Sequence, residues 1–197
     1  GYLEKGAVVN RLVKHKDKNS KIHSVTNFSV YAGLLSGENW QQPFLLDEVA
    51  KEIFFAEDNI LFLEGQEDVG LLRDEEQLTD ANIFGYGVRG KDNFHSALQL
   101  AKDLGFKKVA CLIDAGESES TTKTTLESNF PEYSIQQWNR GDIRDKDAYT
   151  STAKVGYFSS RGVKKPNDDL DDYNEKLTNI NSYFNEDTPW HTNPKHN

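Results

Sequence analysis

The chain contains no methionine and only one cysteine among its 197 residues. A single cysteine excludes a disulfide framework and any cysteine-based zinc site. No stretch approaches the roughly 18 consecutive apolar residues of a membrane-spanning helix. No charged-then-apolar signal segment opens the chain. Together these absences lead us to expect a reducing, cytoplasmic setting. With no initiator methionine and an opening that reads as strand, the chain is expected to be a fragment or a processed domain. Apolar residues are scarce at 36%, yet aromatics reach 11%, more than a disordered chain carries. At this length a folded chain buries roughly 70% of its unfolded surface, which suits one large domain or a small domain with appendages. Positive charge is also in deficit, with 23 basic against 32 acidic side chains and a formal net charge of −9. At first sight that balance argues against a nucleic-acid partner. The deficit is uneven: residues 1–50 sum to +1, 51–160 to −8 and 161–197 to −2.

Residues 7–13 (AVVNRLV) are β-branched and predict a strand, with a return strand over 22–25. A basic patch of Arg11, Lys14, Lys16, Lys18 and Lys21 runs from the end of the first strand to the start of the second. A helix is expected over 46–55. The middle of the chain has a clearer pattern. Ile60-Leu61-Phe62-Leu63 is a continuous apolar run, as in a strand buried on both faces. A helix is expected over 67–79 and a strand over 82–88. Asn93 can cap a helix with apolar positions Phe94, Ala97, Leu98, Ala101 and Leu104, stopped at Gly105. Lys108–Ile113 reads as a third buried strand, 121–130 as a helix stopped by Pro131, and 134–138 as a fourth strand. Strands alternating with helices predict an α/β domain with a central parallel sheet flanked by helices. Beyond 150 the signal fades. Asp168, Asp169, Asp171 and Asp172 read as a solvated loop, 176–185 as a helix, and 186–197 as a loose tail.

Two of the predicted strands end in an acid, Glu64 and Asp114. In open α/β sheets, ligands bind beyond the carboxyl ends of the strands. A carboxylate directly after a buried strand is unfavourable without a partner, and two at one sheet edge repel each other. A divalent cation relieves that repulsion, and oxygen-only ligands suit Mg²⁺ or Mn²⁺. Asp68, one turn into the next helix, can face the same cleft. The alternative is that each acid merely caps the helix that follows it. The segment Gly85–Lys91 allows close backbone approach, and Lys91 can contact phosphate. Its spacing does not match a P-loop, so no ATP site is expected in this chain. The histidines show no metal-ligand spacing. Cys111 reads as packing, and the tryptophans as packing rather than base-stacking residues.

The run Ile60–Leu63 followed by Glu64-Gly65-Gln66-Glu67-Asp68 resembles the first motif of the TOPRIM domain, named for topoisomerases and primases. Val109–Ile113 with Asp114 resembles the second motif. Within TOPRIM proteins the chain is most similar to the overcoming-lysogenization-defect (OLD) family, in which an ABC-type ATPase is joined to a C-terminal TOPRIM nuclease. Phe54-Phe55, Gly90-Lys91-Asp92-Asn93-Phe94 and Asp142-Ile143-Arg144-Asp145-Lys146 resemble further elements of that branch. Residues 6–25 resemble the last strands of an ATPase head. The resemblance covers residues 1–150. It implies the end of an ATPase-type domain over 1–26, a connector over 27–59, a Rossmann-like TOPRIM domain over 60–150 and a C-terminal extension over 151–197. One departure stands out. The second motif reads Asp114-Ala115-Gly116, so its second acid is missing, and Glu117 or Glu119 is the candidate replacement.

The resemblance implies a metal-dependent endonuclease that nicks or cleaves DNA, in an ATPase-nuclease of the antiphage-defence type. Glu64 is then a metal ligand or general base, and Asp114 and Asp68 hold the metal. Lys146 stabilises the phosphate transition state, while Lys91 and Arg144 contact the nucleic acid. The alternative for Lys146 is a salt bridge among Asp142, Asp145 and Asp147. The implied partners are DNA, an ATPase head in the same polypeptide or complex, and further copies of the full-length protein. Two other readings remain open: a catalytically degenerate module with an assembly or regulatory role, and an RNA-cleaving nuclease. On the nuclease reading, part of the negative charge in 51–160 is a cation site, and DNA affinity depends on the metal and on the basic patch at 11–21.

Overall fold

A computed structural model of the chain describes residues 9–14, 20–25, 58–85, 87–147, 153–166 and 170–186. The expected helix at 46–55, Phe54-Phe55, Lys16, Lys18, Asp168, Asp169 and nearly all of the tail at 186–197 lie outside them. Two strands, β1 (Val9–Lys14) and β2 (Ser20–Val25), form an antiparallel hairpin. Four more form a parallel sheet: β3 (Ile60–Leu63), β4 (Asn82–Ile83), β5 (Val109–Ile113) and β6 (Ser134–Gln137). Their spatial order is β4-β3-β5-β6. Among the described residues four helices accompany them: α1 (Gln66–Leu72), α2 (Phe94–Asp103), α3 (Glu117–Asn129) and α4 (Asp171–Asn185). This is the α/β architecture, a parallel sheet flanked by helices, that the strand–helix alternation predicts, and it is consistent with a Rossmann-like fold.

Every residue of β3 and β5 is buried, because helices cover both faces of the sheet. Side chains alternate across a strand, so one strand feeds two cores. Ile60, Phe62, Val109, Cys111 and Ile113 join Phe94, Ala97, Leu98, Ala101, Leu126 and Phe130 under α2 and α3. Leu61, Leu63, Ala110 and Leu112 join Val69, Leu72, Leu177, Ile180 and Phe184 under α1 and α4. Trp138 stacks on Tyr173 with ring centroids 5.4 Å apart and planes at 4°. It is a packing residue, and it ties α4 to the end of β6.

The strand order determines where a ligand can approach. From β3 the chain moves outward to β4, then crosses back over β3 to β5 and continues to β6. The ends of β3 and β5 are therefore neighbours from which the chain departs in opposite directions. Such a switch point opens a crevice at the carboxyl edge of the sheet.

Several element boundaries differ from expectation. The helix expected over 67–79 ends at Leu72, and a 3-10 turn at Glu76–Leu78 follows. The run Arg73–Glu76 offers no apolar position to bury until Leu78 returns to the core. The strand expected over 82–88 pairs only at Asn82 and Ile83. Beyond it, the amides of Phe84, Val88 and Gly90 still donate to the carbonyls of Leu61, Leu63 and Glu64, so the chain follows β3 around a glycine bend. Asn93 occupies the position before α2, but its side-chain Nδ2 donates to the Arg89 carbonyl at 3.2 Å and caps nothing. Gly105 does end α2. It is left-handed at φ +72°, and the amides of Gly105 and Phe106 bond the carbonyls of Lys102 and Ala101, the double bond pattern of a Schellman stop. Helix α3 begins at Glu117 rather than 121. Its serines and threonines read poorly as helix, yet Ser120, Thr121, Thr122, Thr124 and Thr125 each donate to the carbonyl four residues back, which satisfies their hydroxyls within the helix. Helix α4 likewise starts earlier, at Asp171. Asp172 is not in a solvated loop, because it accepts hydrogen bonds from the Tyr157 hydroxyl and from the Asn139 amide at 3.2 Å.

The hairpin docks through Arg11. Its guanidinium lies 3.8 Å from the centre of the Phe106 ring and donates to the Leu104 carbonyl at 3.2 Å. One member of the basic patch is thus engaged in holding the hairpin against the end of α2. No helix among the described residues is long and apolar enough to cross a membrane.

Candidate metal and phosphate site

Glu64 leaves the end of β3 and Asp114 the end of β5, side by side at the switch point. The Asp114 amide donates to the Glu64 carboxylate at 3.4 Å. Partial burial raises the Glu64 acid above its usual range. Glu119 adds to the rise, while the Asp114 amide and Lys154 oppose it. Asp68 lies one turn into α1, almost wholly buried, and accepts the Gly65 amide at 2.7 Å. This N3 carboxylate does cap its own helix. Burial nonetheless pushes its acid up to about 6, with Asp142 and Glu64 adding repulsion.

Asp114 behaves differently. Among the described residues no hydrogen bond or ion pair involves its carboxylate, so it caps nothing. Burial first, then the charges of Asp68, Glu64 and Asp142, push its acid up to about 8. Burial and the neighbouring negative charges favour the protonated form of this acid near neutrality.

Glycine makes this geometry possible. Gly87, at φ +75°, sits so close to Gly65 that a Cβ there would lie 2.8 Å from the Gly65 carbonyl carbon. The close approach anticipated for the Gly85–Gly90 segment is therefore to the backbone beside Glu64. Lys91 follows it on a 3-10 turn and pairs with Asp92 at 3.1 Å. The Asp92 hydrogen bond raises the Lys91 ammonium, and Glu119 and Glu64 also contribute, so Lys91 lies on the rim of the carboxylate group.

Of the two candidate replacement acids, the structure separates Glu119 from Glu117. Glu119 curls back over Gly116: its Oε2 lies 2.1 Å from where a Cβ on Gly116 would sit. It is also among the leading charges acting on Glu64. Glu117 is exposed on the first turn of α3 and is not among the leading charges on Glu64, Asp68 or Asp114.

The segment after β6 brings a fourth acid that the strand-end pattern did not single out. Asp142 is 3% exposed. It accepts Lys146 at 2.7 Å and Lys154 at 3.5 Å. Lys146 also reaches Glu67 at 3.1 Å. Its salt-bridge partners are thus Asp142 and Glu67, whereas Asp145 pairs with Lys165 at 2.7 Å. Arg144 grips the Glu67 carboxylate with two nitrogens and donates to the Ser160 carbonyl at 2.8 Å. The Arg144 hydrogen bonds, aided by Lys146, hold the Glu67 acid down to about 2. Burial alone would lower the Lys146 ammonium, but its bonds to Asp142 and Glu67 outweigh that and raise it. Arg144 therefore has most of its donors engaged within the protein.

Four acids, Glu64, Asp68, Asp114 and Asp142, act on one another across the switch-point crevice, with a basic strip at its edge. All their donors are oxygen, the set preferred by a hard cation such as Mg²⁺ or Mn²⁺. The unpartnered, proton-retaining Asp114 fits such an ion. However, among the described residues no three of His, Cys, Asp and Glu converge closely enough to form a ready metal-binding group, so a cation would have to draw the carboxylates together. Comparison of the chain with models of protein families, with curated proteins and with solved structures finds no match.

Proposed function

We propose that the chain is a divalent-metal-dependent phosphodiesterase domain of TOPRIM type, similar to the OLD family of ATPase-nucleases and acting on DNA. The observation that carries this reading is the pair Glu64 and Asp114 at adjacent strand ends of the switch point, with buried Asp68 and Asp142 beside them. Bound Mg²⁺ or Mn²⁺ supplies an activated water and charge neutralisation at the leaving oxygen. Asp114 and Asp68 would hold the cation, and Glu119 would extend the donor set in place of the missing second-motif acid. Glu64, raised by burial and oriented by the Asp114 amide, binds the ion or takes the proton of the attacking water. Lys91 on the rim and the basic strip beyond Asp142 meet the phosphate backbone, where a cation is needed as negative charge grows. In the intact protein, an ATPase head in the same polypeptide or complex would govern DNA access, with the full-length chain assembling as a homo-oligomer in antiphage defence.

The test is a calorimetric titration with Mg²⁺ and Mn²⁺ alongside a plasmid-nicking assay. Wild type is expected to bind metal and nick, Glu64→Ala to bind weakly and not nick, and Asp114→Ala to do neither. A second reading has its own support. Because the carboxylates do not converge, the domain fits a degenerate TOPRIM module with an assembly or regulatory role. Absence of metal binding in both wild type and Asp114→Ala would favour it.

A further inference from the structure

Three cations and two acids lie at the edge of the carboxylate crevice. Arg144, Lys146 and Lys154 face Glu67 and Asp142, and Arg144 and Lys146 between them engage both acids at short range. We propose that Lys154, the least tightly held of these cations, contacts the substrate phosphate rather than Lys146; the assignment rests on the phosphodiesterase reading above.

The backbone sets up the choice. Lys146 and Lys154 are directly opposed on two antiparallel segments, and each amide donates to the other's carbonyl at 3.0 Å. Side chains directly opposite in such a pair project to the same side, and both ammonium groups reach the same buried carboxylate, Asp142. They do not reach it equally. Lys146 makes a 2.7 Å bond there and a second contact to Glu67 at 3.1 Å. Among the described residues, Lys154 has only its 3.5 Å approach to Asp142. Turning Lys146 toward a ligand breaks two short contacts, whereas turning Lys154 breaks one long one.

The electrostatics agree with the geometry. Lys154 is a leading positive charge on both Glu64 and Asp114, the two strand-end acids where a metal-bound phosphate would sit. Lys146 acts instead on Asp68 and Glu67 in the first turn of α1. The segments themselves are held rigidly. A Cβ on Gly156 would lie 2.4 Å from the Arg144 backbone, and the Gly156 amide donates to Asp145 at 2.9 Å. Lys146 is then a positioning residue: it neutralises Asp142 and leaves Lys154 free to turn inward.

The experiment compares wild type with Lys154→Ala, Lys154→Arg and Lys146→Ala in three measurements. These are thermal melting, binding of a short oligonucleotide in Ca²⁺ across a salt series, and cleavage in Mg²⁺ or Mn²⁺. Lys154→Ala should melt close to wild type, reduce the salt slope of binding by about one and cut cleavage by about 100-fold. Lys154→Arg should recover most of the cleavage, and Lys146→Ala should melt clearly lower than Lys154→Ala. If wild type cleaves but Lys154→Ala cleaves equally well with an unchanged salt slope, the assignment is overturned and the phosphodiesterase reading stands. If Lys154→Ala melts as low as Lys146→Ala, its ion pair is structural and the assignment is again overturned. If wild type neither binds the oligonucleotide nor cleaves, the phosphodiesterase reading fails and the assignment falls with it.

Discussion

Asp114→Asn is expected to stabilise the metal-free protein while abolishing its response to Mg²⁺. The substitution nearly preserves shape and leaves the Asp114 amide bond to Glu64 in place. It removes a carboxyl whose ionisation midpoint rises from the ordinary 3.8 to about 8 on folding. Near neutrality the unfolded chain ionises this acid freely and the folded chain does not. At about 1.4 kcal/mol per pH unit, that difference disfavours folding by at most about 4 kcal/mol. Water penetration and side-chain relaxation reduce such a figure, so a gain of about 1–2 kcal/mol is expected, or roughly 3–8 °C in melting temperature. Differential scanning calorimetry in EDTA measures it. The gain should shrink as the pH falls toward 3, where the unfolded acid is also largely protonated. Saturating Mg²⁺ should reverse the ranking, because an ion at about 100 times its Kd adds about 2.7 kcal/mol to wild type and little to the variant. A variant that melts lower than wild type in EDTA near neutrality, or one whose gain is the same at both pH values, would refute the account of Asp114 as an unpartnered, mutually repelled acid.

The same acids set a wider pH dependence. Asp68 and Asp114, raised to about 6 and about 8, contribute stability that is complete below their ordinary values and lost as pH rises through those midpoints. Glu67, lowered to about 2, works in the opposite sense: its contribution is present above its ordinary value of 4.5 and lost as pH falls toward 2. Metal-free protein should therefore melt highest in mildly acid solution, and added Mg²⁺ should raise the melting temperature more in alkaline than in acid buffer. A metal-free melting temperature that climbs steadily into the alkaline range would contradict this. Gly156→Ala should destabilise by about 2 kcal/mol or more, because the added carbon has only the Arg144 backbone to meet. Urea unfolding followed by tryptophan fluorescence would show it as a lower midpoint, and a midpoint within error of wild type would mean that the two segments separate easily.

Much of the scaffold could be read from local pattern. The apolar runs at 60–63 and 109–113 required two covered faces, and they have them. Gly105 ended α2 because a left-handed residue lets the last carbonyls find amides. The boundaries that shifted did so for nonlocal reasons. The hydroxyl-rich start of α3 looks like a loop until each hydroxyl is seen to bond within the helix. The expected strand at 82–88 loses regular pairing after Ile83, because the chain bends at glycine so that Gly87 can pass within contact of Gly65.

The candidate site divides along similar lines. By itself, the sequence determined that Glu64 and Asp114 end buried strands and that Asp68 lies one turn beyond Glu64. Strand and helix periodicity carry that information over a few residues. Tertiary structure alone decided that β3 and β5 are neighbours at a switch point and that buried Asp142 joins their acids. It also decided that Glu119 rather than Glu117 turns toward them, and that Lys146 pairs with Asp142 and Glu67 instead of Asp145. Lys154 gave no signal in the sequence, since it enters the crevice only through its backbone pairing with Lys146. The reason is physical. Burial and Coulomb interactions depend on distance in space, and the loops that bring these charges together have no periodicity from which that distance could be read.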